Sequence, residues 1–329
     1  MPYVTKTSED SGTSSDSDDY AARFIGNPRS PHPWYPMEFN PERCRSLLFV
    51  PAGNARYLNS ALQGSADVIQ LDLEDAIPPA QKEQARAEAR EAVDLIHDAG
   101  RVGTVRINNG MSVALADLEA VVGPGLAGLT VPKVASAEQL QQLDEAVTAL
   151  EHKRQLPTGA IRLVAQIESA AGVLNVREIA GATPRLAAMG LGMEDLAAEL
   201  GSSVDADALY FPSMLLLYAA CEAGVTPLGY LGSITMYNDA TTFSEWIRRA
   251  HSLGFEGGFA IHPNQVEILN TEFAPTQREA QQASQLIEAF ENRMDKSSGA
   301  VSWEGRMVDK PVVDRASRTL KRYEHLADS

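Results

Sequence analysis

Cysteine is nearly absent: Cys44 and Cys221 are the only two in 329 residues, and they form no CxxC pair. That excludes a disulfide framework and a thiolate zinc site, and it suits a reducing compartment, so the expected location is cytoplasmic. No apolar run approaches the ~20 residues of a membrane span. The richest stretch, Met214 to Val225, is short and holds Glu222. The N-terminus lacks the basic-then-apolar order of a signal peptide, and Glu9, Asp10, Asp16, Asp18 and Asp19 argue against a mitochondrial transit peptide. Basic residues are in deficit, 28 Lys+Arg against 44 Asp+Glu, for a net charge of −16. That balance argues against a nucleic-acid surface and against an anionic membrane as partner. The six histidines form no metal pattern. No GxGxxG follows the first apolar strand, which lowers the case for a dinucleotide fold.

What is present is ordinary in composition, 44% hydrophobic and 22% charged, as in a globular protein with a large core. The length suits about two domains or one α/β barrel of ~250 residues. Residues 1–42 read as a mobile acidic tail (1–26) and a Pro-rich arm (27–42) whose Trp34, Tyr35 and Phe39 are expected to pack on the body. From residue 43 to about 275, short β-branched runs alternate with stretches of helical period. Strands are expected at 45–50, 67–73, 102–107, 127–133, 161–167, 185–191, 226–231 and 257–262. Ser136 and Gln139 form a capping box, and Gly100, Gly181 and Gly254 follow helical runs where C-caps belong. Eight such units mean a closed (β/α)8 TIM barrel or a large doubly wound sheet. Residues 276–329 follow the barrel count. They read as a helix, a break at Lys296–Gly299, and a basic helix serving as a lid or arm.

Active sites of such barrels lie at the C-terminal ends of the strands. Here those ends carry Asp72-Leu73-Glu74-Asp75, Arg106-Ile107-Asn108, Pro132-Lys133, Gln166-Ile167-Glu168, Gly192-Met193-Glu194-Asp195 and His262-Pro263. Glu168 and Asp195 end neighbouring strands. Two adjacent carboxylates without Cys or spaced His suit a hard divalent ion, Mg2+ with Mn2+ as substitute. Arg106 in the mouth can grip a substrate carboxylate or thioester oxygen; its competing role is a salt bridge to Asp72 or Glu74. Asp72 and Glu74 share one face of their strand, and at least one is expected only to support its neighbours. His262 is expected to be a structural hydrogen-bonder. Lys133 stands where a Schiff-base lysine would, but the surrounding acids favour its charged, unreactive form.

Eight ordered stretches together resemble the citrate lyase β-subunit-like family of malyl-CoA and citramalyl-CoA lyases, within the HpcH/HpaI aldolase superfamily. They are RSLLFVPA (45–52), VIQLDLEDAIPPAQK (68–82), VRIN (105–108), VPKV (131–134), QIESAAGVLNVREIA (166–180), GMEDLAAELG (192–201), GFEGGFAIHPNQ (254–265) and GRMVDKPVVDRA (305–316). The resemblance implies a (β/α)8 barrel with a C-terminal lid segment and Mg2+ on Glu168 and Asp195. It implies Arg106 as the polarising group and the backbone N–H groups of Gly192, Met193 and Glu194 as holders of a substrate carboxylate. It also implies Arg45 near the CoA phosphates, and Asp309 reaching a neighbouring subunit's site in a homotrimer or homohexamer. Three positions depart from the family text: Pro212, Gly229 and Gly258 stand where charged residues are usual.

The reaction expected is Mg2+-dependent cleavage of a carboxylated 3-hydroxyacyl-CoA, of the malyl-CoA or citramalyl-CoA type, to acetyl-CoA and a 2-oxo acid. Arg106, Asp309 and Glu74 are the expected catalytic groups. The alternatives are an acyl-CoA thioesterase, a CoA-independent 2-oxo-acid aldolase, and a non-catalytic partner subunit. Small molecules, not nucleic acid or membrane, are the expected ligands.

Overall fold

The computed structural model describes residues 38–293 and 300–327. The tail expected over 1–26, Trp34 and Tyr35 of the arm, and the break at 297–299 lie outside them. All eight expected strands form: β1 (Ser46–Pro51), β2 (Val68–Asp72), β3 (Val102–Arg106), β4 (Leu126–Val131), β5 (Arg162–Ile167), β6 (Leu186–Leu191), β7 (Thr226–Leu228) and β8 (Gly258–Ala260). Every neighbouring pair is parallel, in the order β7-β6-β5-β4-β3-β2-β1-β8. The ring closes between β7 and β8 through the Leu228–Gly257 bridge. The amides of Gly229 and Glu256 add bonds of 2.8 and 3.0 Å to the carbonyls of Gly257 and Pro227. That closure selects the barrel over the open sheet.

Helices fill the crossovers: α1 (Ala55–Gln63), α2 (Lys82–Asp98), α3 (Met111–Val121), α4 (Ala137–Lys153), α5 (Ala170–Leu174), α6 (Val176–Ala180), α7 (Met193–Leu200), α8 (Ala206–Ala223), α9 (Ala240–Leu253) and α10 (Pro263–Glu272). The Ser136–Gln139 capping box starts α4 as expected, and its buried face is Leu140, Leu143 and Val147. Pro212 lies inside α8, where it removes one backbone donor from the helix ladder.

Inward-facing residues alternate along each strand, so the interior is layered. Phe39, Leu47, Val68, Val164 and Ala188 make an apolar floor. Phe39 comes from the arm and is fully buried, as expected for its aromatic. Gln70, Thr104, Thr130 and Gln166 form a buried polar layer above, and Asp72, Arg106 and Glu168 reach the mouth. Polarity therefore rises along the strand direction, which fixes the functional end.

After the barrel come α11 (Gln277–Arg293), a hairpin of β9 (Ala300–Trp303) and β10 (Arg306–Asp309), and α12 (Lys310–Ala327). The hairpin turns on Glu304 and Gly305, both at positive φ, 48° and 74°. Helix α12 lies against the floor, not over the mouth of its own barrel. Lys321 and His325 pair with Glu42, just before β1, and Arg322 pairs with Glu256, just before β8. For its own barrel this segment is an arm rather than a lid. Among the described residues no helix is long and apolar enough to cross a membrane.

Candidate active site

The register of the strands builds the site. Asp72 and Arg106 are direct partners on β2 and β3, so their side chains emerge side by side. Asp72 accepts from Nε and Nη2 of Arg106, each at 2.7 Å. Nη1 lies 3.1 Å from Glu74. The guanidinium stacks over the Phe49 ring from β1, 4.5 Å from its centroid. The competing role weighed for Arg106 is present, since it is salt-bridged to Asp72 and Glu74, and the same side chain lines the mouth.

Lys133 stands two residues after β4 with φ of 52°, an uncommon conformation for a non-glycine residue and one that turns up at functional sites. Its Nζ donates to Glu74 at 2.7 Å and lies 3.5 Å from Asp75 and 4.0 Å from Asp195. Burial pulls the ammonium down, but the bond to Glu74 and the charges of Glu74, Asp75 and Glu168 hold it above the ordinary lysine range. A neutral Schiff-base amine is thereby disfavoured. Lys82, at the start of α2, donates to the backbone carbonyls of Leu73 and Glu74 at 2.6 and 2.5 Å, which fixes the acidic loop after β2. Asp72 does the same from inside, accepting from the amides of Glu74 and Ala76.

Glu168 follows β5 and is buried, with Oε2 free of any hydrogen-bond partner. Burial first, then the charges of Glu74 and Asp195, push its carboxyl up to about 8, against the pull of Lys133 and Arg106. Burial also raises Glu74, against its bond to Lys133 and the charge of Arg106. Gly192 follows the register partner of Ile167, so it abuts Glu168. A Cβ on Gly192 would lie 2.4 Å from Glu168 Cγ and 2.9 Å from Oε1, so only glycine leaves the carboxylate its place. Asp195 is exposed on the first turn of α7, whose N-cap is Gly192. The described residues hold no cluster of three metal-ligating side chains, but the orphaned, buried Glu168 oxygen and the neighbouring Asp195 are the pair of carboxylates that a small hard cation takes when water and substrate complete its shell.

The cavity in the mouth, about 220 Å³, is lined by Asp75, Arg106, Gln166, Glu168, Gly192, Met193, Glu194 and Asp195 on its polar side. Phe49, Leu191, Tyr230, Ile234, Phe259 and Ile261 form the rest with Gly229. Thus the structure brings together Arg106, Glu74, Glu168, Asp195, Gly192, Met193 and Glu194. Two expectations need correction. The Gly192 amide donates to the Ile167 carbonyl at 2.9 Å, so of the three expected amides only those of Met193 and Glu194 remain for an anion. Arg45 precedes β1 and so sits at the floor, away from the mouth. It is clamped by Asp67 through Nε and Nη2 at 2.9 and 2.8 Å, and by the Asn270 carbonyl. Strand direction, not residue type, removes it from the site.

Asp309 ends β10 and accepts from the Val312 amide at 3.4 Å, capping α12; it is not among the residues lining its own barrel's cavity. His262 caps α10 by accepting from the Asn264 amide, the structural role expected of it. Gly258 has a plain steric reason: a Cβ there would meet the Tyr230 ring at 3.0 Å. The sequence reasoning missed Phe49, Tyr230 and the anchoring role of Lys82. Phe49 and Tyr230 stood only as apolar residues whose roles depend on strand register, and Lys82 on the path of the loop after β2.

A (β/α)8 barrel with carboxylates, an arginine and a lysine gathered at its strand ends is an enzyme of the aldolase and lyase type. The HpcH/HpaI aldolase/citrate lyase family model matches residues 45–263, and the chain belongs to that family. The citrate lyase subunit beta of Leuconostoc mesenteroides subsp. cremoris is 35% identical over 297 residues, 88% of this chain and 97% of that protein. An L-malyl-CoA/beta-methylmalyl-CoA lyase of Cereibacter sphaeroides (strain ATCC 17025 / ATH 2.4.3) is 30% identical over 316 residues, 89% of this chain and 98% of that protein. A crystal structure of CitE from Mycobacterium tuberculosis, in complex with magnesium, acetoacetate and coenzyme A, superposes with a TM-score of 0.66 at 29% identity. It covers 85% of this chain and 97% of that one.

Proposed function

We propose that this chain is a Mg2+-dependent carbon–carbon lyase that cleaves a carboxylated 3-hydroxyacyl-CoA to acetyl-CoA and a 2-oxo acid. The observation that carries the reading is Glu168, a buried carboxylate with an unpartnered oxygen beside Asp195 and facing Arg106. Relatives named for citrate lyase and malyl-CoA lyase activity, and a neighbour holding magnesium and coenzyme A, support it. Glu168 and Asp195 would hold the ion. When bound, it supplies an electrophile for the oxygen of the 2-oxo acid portion.

The chain's own groups account for the rest. The free amides of Met193 and Glu194, at the positive end of α7, receive the substrate carboxylate. Arg106 offsets the negative charge that develops as the C–C bond opens. Asp72 and Phe49 hold its guanidinium in place. Glu74 keeps Lys133 and Arg106 charged and adjacent. As the C–C bond breaks, the substrate hydroxyl becomes the oxo group and releases its proton to water, and Asp309 of a neighbouring copy, in a homotrimer or homohexamer, delivers a proton to the methylene carbon of the leaving acetyl fragment, so no net proton is gained or lost. Its distance in sequence from the barrel and its absence from its own cavity support that arrangement. Two unbridged cysteines support a cytoplasmic location.

The test is direct. Glu168→Gln and Asp195→Asn should each lose Mg2+ affinity in calorimetry and lose turnover of malyl-CoA and citramalyl-CoA, while far-UV circular dichroism stays unchanged. Parental Mg2+ binding by either variant removes that residue from the metal site.

A further inference from the structure

The cavity has a second, apolar wall, none of whose side chains is assigned to the ion, the substrate carboxylate or the proton. Phe49 and Phe259, on β1 and β8, lie with ring centroids 5.8 Å apart, and Leu191, Tyr230, Ile234 and Ile261 complete the surface. Tyr230 donates its hydroxyl to the Phe259 carbonyl at 3.0 Å, so its polar atom is engaged within the wall. Gly229 adds no side chain. Among the described residues lining the cavity Arg106 is the only cation, and Asp72 and Glu74 already hold it. The other charged lining groups, Asp75, Glu168, Glu194 and Asp195, are acids.

A ligand carboxylate pressed against this wall would lose water without meeting a free cationic side chain, and would share the cavity with Asp75 and Glu194, the lining acids not assigned to the ion. An alkyl group would lose only unfavourable hydration and gain contact with aromatic rings. A bare hydrogen would leave the wall unfilled. We propose that the site selects a 2-oxo acid bearing an uncharged alkyl substituent, pyruvate or 2-oxobutyrate, over one bearing a second carboxylate or only hydrogen. This rests on the lyase reading above. The corresponding acyl-CoA carries the alkyl group on its hydroxyl-bearing carbon.

The experiment runs the reaction in the condensing direction, which needs no other reactant. The methyl carbon of acetyl-CoA gives up a proton and bonds to the oxo carbon, and the former oxo oxygen ends as a hydroxyl. Glyoxylate, pyruvate, 2-oxobutyrate and oxaloacetate are each supplied with acetyl-CoA and Mg2+, and product is measured by mass spectrometry. Pyruvate and 2-oxobutyrate should exceed glyoxylate and oxaloacetate in kcat/KM by about tenfold or more, as one methyl group in an apolar pocket allows. Leadership by oxaloacetate or glyoxylate overturns the proposal. The same four acids are titrated calorimetrically in Mg2+, so the wall is judged even without turnover. Absence of product with all four defeats the lyase reading. In that event, tighter binding of 2-oxobutyrate than of oxaloacetate sustains the selectivity, and equal or reversed binding overturns it. Ile261 is 42% exposed at the rim, so Ile261→Lys should fold. It should raise oxaloacetate relative to pyruvate about tenfold in binding; an unchanged ratio overturns the assignment of the wall.

Discussion

Replacing Gly192 by alanine adds one methyl group at the point where α7 meets Glu168. The new Cβ would stand 2.4 Å from Glu168 Cγ, 2.7 Å from Cδ and 2.9 Å from Oε1. Carbon atoms at optimal contact stand at least ~3.5 Å apart, so Glu168 must retreat by about 3.5 − 2.4 = 1.1 Å, or α7 must move with Asp195 on it. Either movement separates two carboxylates that act together. Overpacking of this kind costs about 1–3 kcal/mol in stability, a drop in Tm on the order of 2–4 °C per kcal/mol. The functional loss should be larger, because a misplacement of about 1 Å can cost ~100-fold in rate. Gly192→Ala should therefore remain folded at 25 °C, lose Mg2+ affinity in calorimetry, and lose about two orders of magnitude in kcat for citramalyl-CoA or malyl-CoA cleavage. If kcat and Mg2+ affinity stay within twofold of the parent, the close approach of Gly192 and Glu168 does not position the site.

Three further outcomes are expected. Arg185, at the start of β6, ties α4 to the sheet through Asp144, Thr148, Glu151 and the Ile161 carbonyl, and Glu151 is fully buried. Arg185→Met removes the counter-charge of that carboxylate and leaves it only the Gly159 and Ile161 amides, so it should cost about 3–5 kcal/mol in chemical denaturation, with specific activity of the folded fraction unchanged. A loss below ~1 kcal/mol would show that the cluster is dispensable. Glu168 is raised by burial to about 8, so between about pH 5 and 8 the metal-free folded state holds a proton that the unfolded chain has released. Stability in EDTA should fall as pH rises through that window, by up to about 1.4 kcal/mol per pH unit from this group, and excess Mg2+ should flatten the slope. A flat profile in EDTA contradicts the assignment. Finally, Asp309→Ala and Arg106→Ala, each nearly inactive alone, should recover part of the activity when dissociated and reassembled together. Verified mixed oligomers that stay inactive would place Asp309 outside the neighbour's site.

The fold was legible because its signals are local. Each of the eight strand segments carries its own short apolar run, and each polar group that follows a strand lies within a few residues of it. Glu168, Asp195 and Arg106 could be placed for that reason. What escaped needed relations between distant segments. The salt bridge of Arg106 was foreseen, but its stacking on Phe49 depends on β1 standing two strands from β3 round the ring. The loss of the Gly192 amide follows from a β6–β5 bond that no spacing reveals. Arg45 is a different case. Its position at the beginning of a strand already set it at the floor, and the resemblance alone had drawn it toward the ligand.

The closure between β7 and β8 has a consequence for how the barrel opens. Seven strand junctions carry ladders of at least three paired residues, whereas this one rests on a single bridge flanked by the Gly229 and Glu256 bonds. Both strands are only three residues long. Amide exchange should therefore be fastest along this line, with Gly229 and Glu256 exchanging before the amides of β2 through β5. The line runs between Tyr230 and Phe259, so the barrel opens most readily at its apolar wall while the carboxylates stay on the continuous part of the ring. The molecule thus divides into a stiff half that holds charge and a yielding half that holds shape.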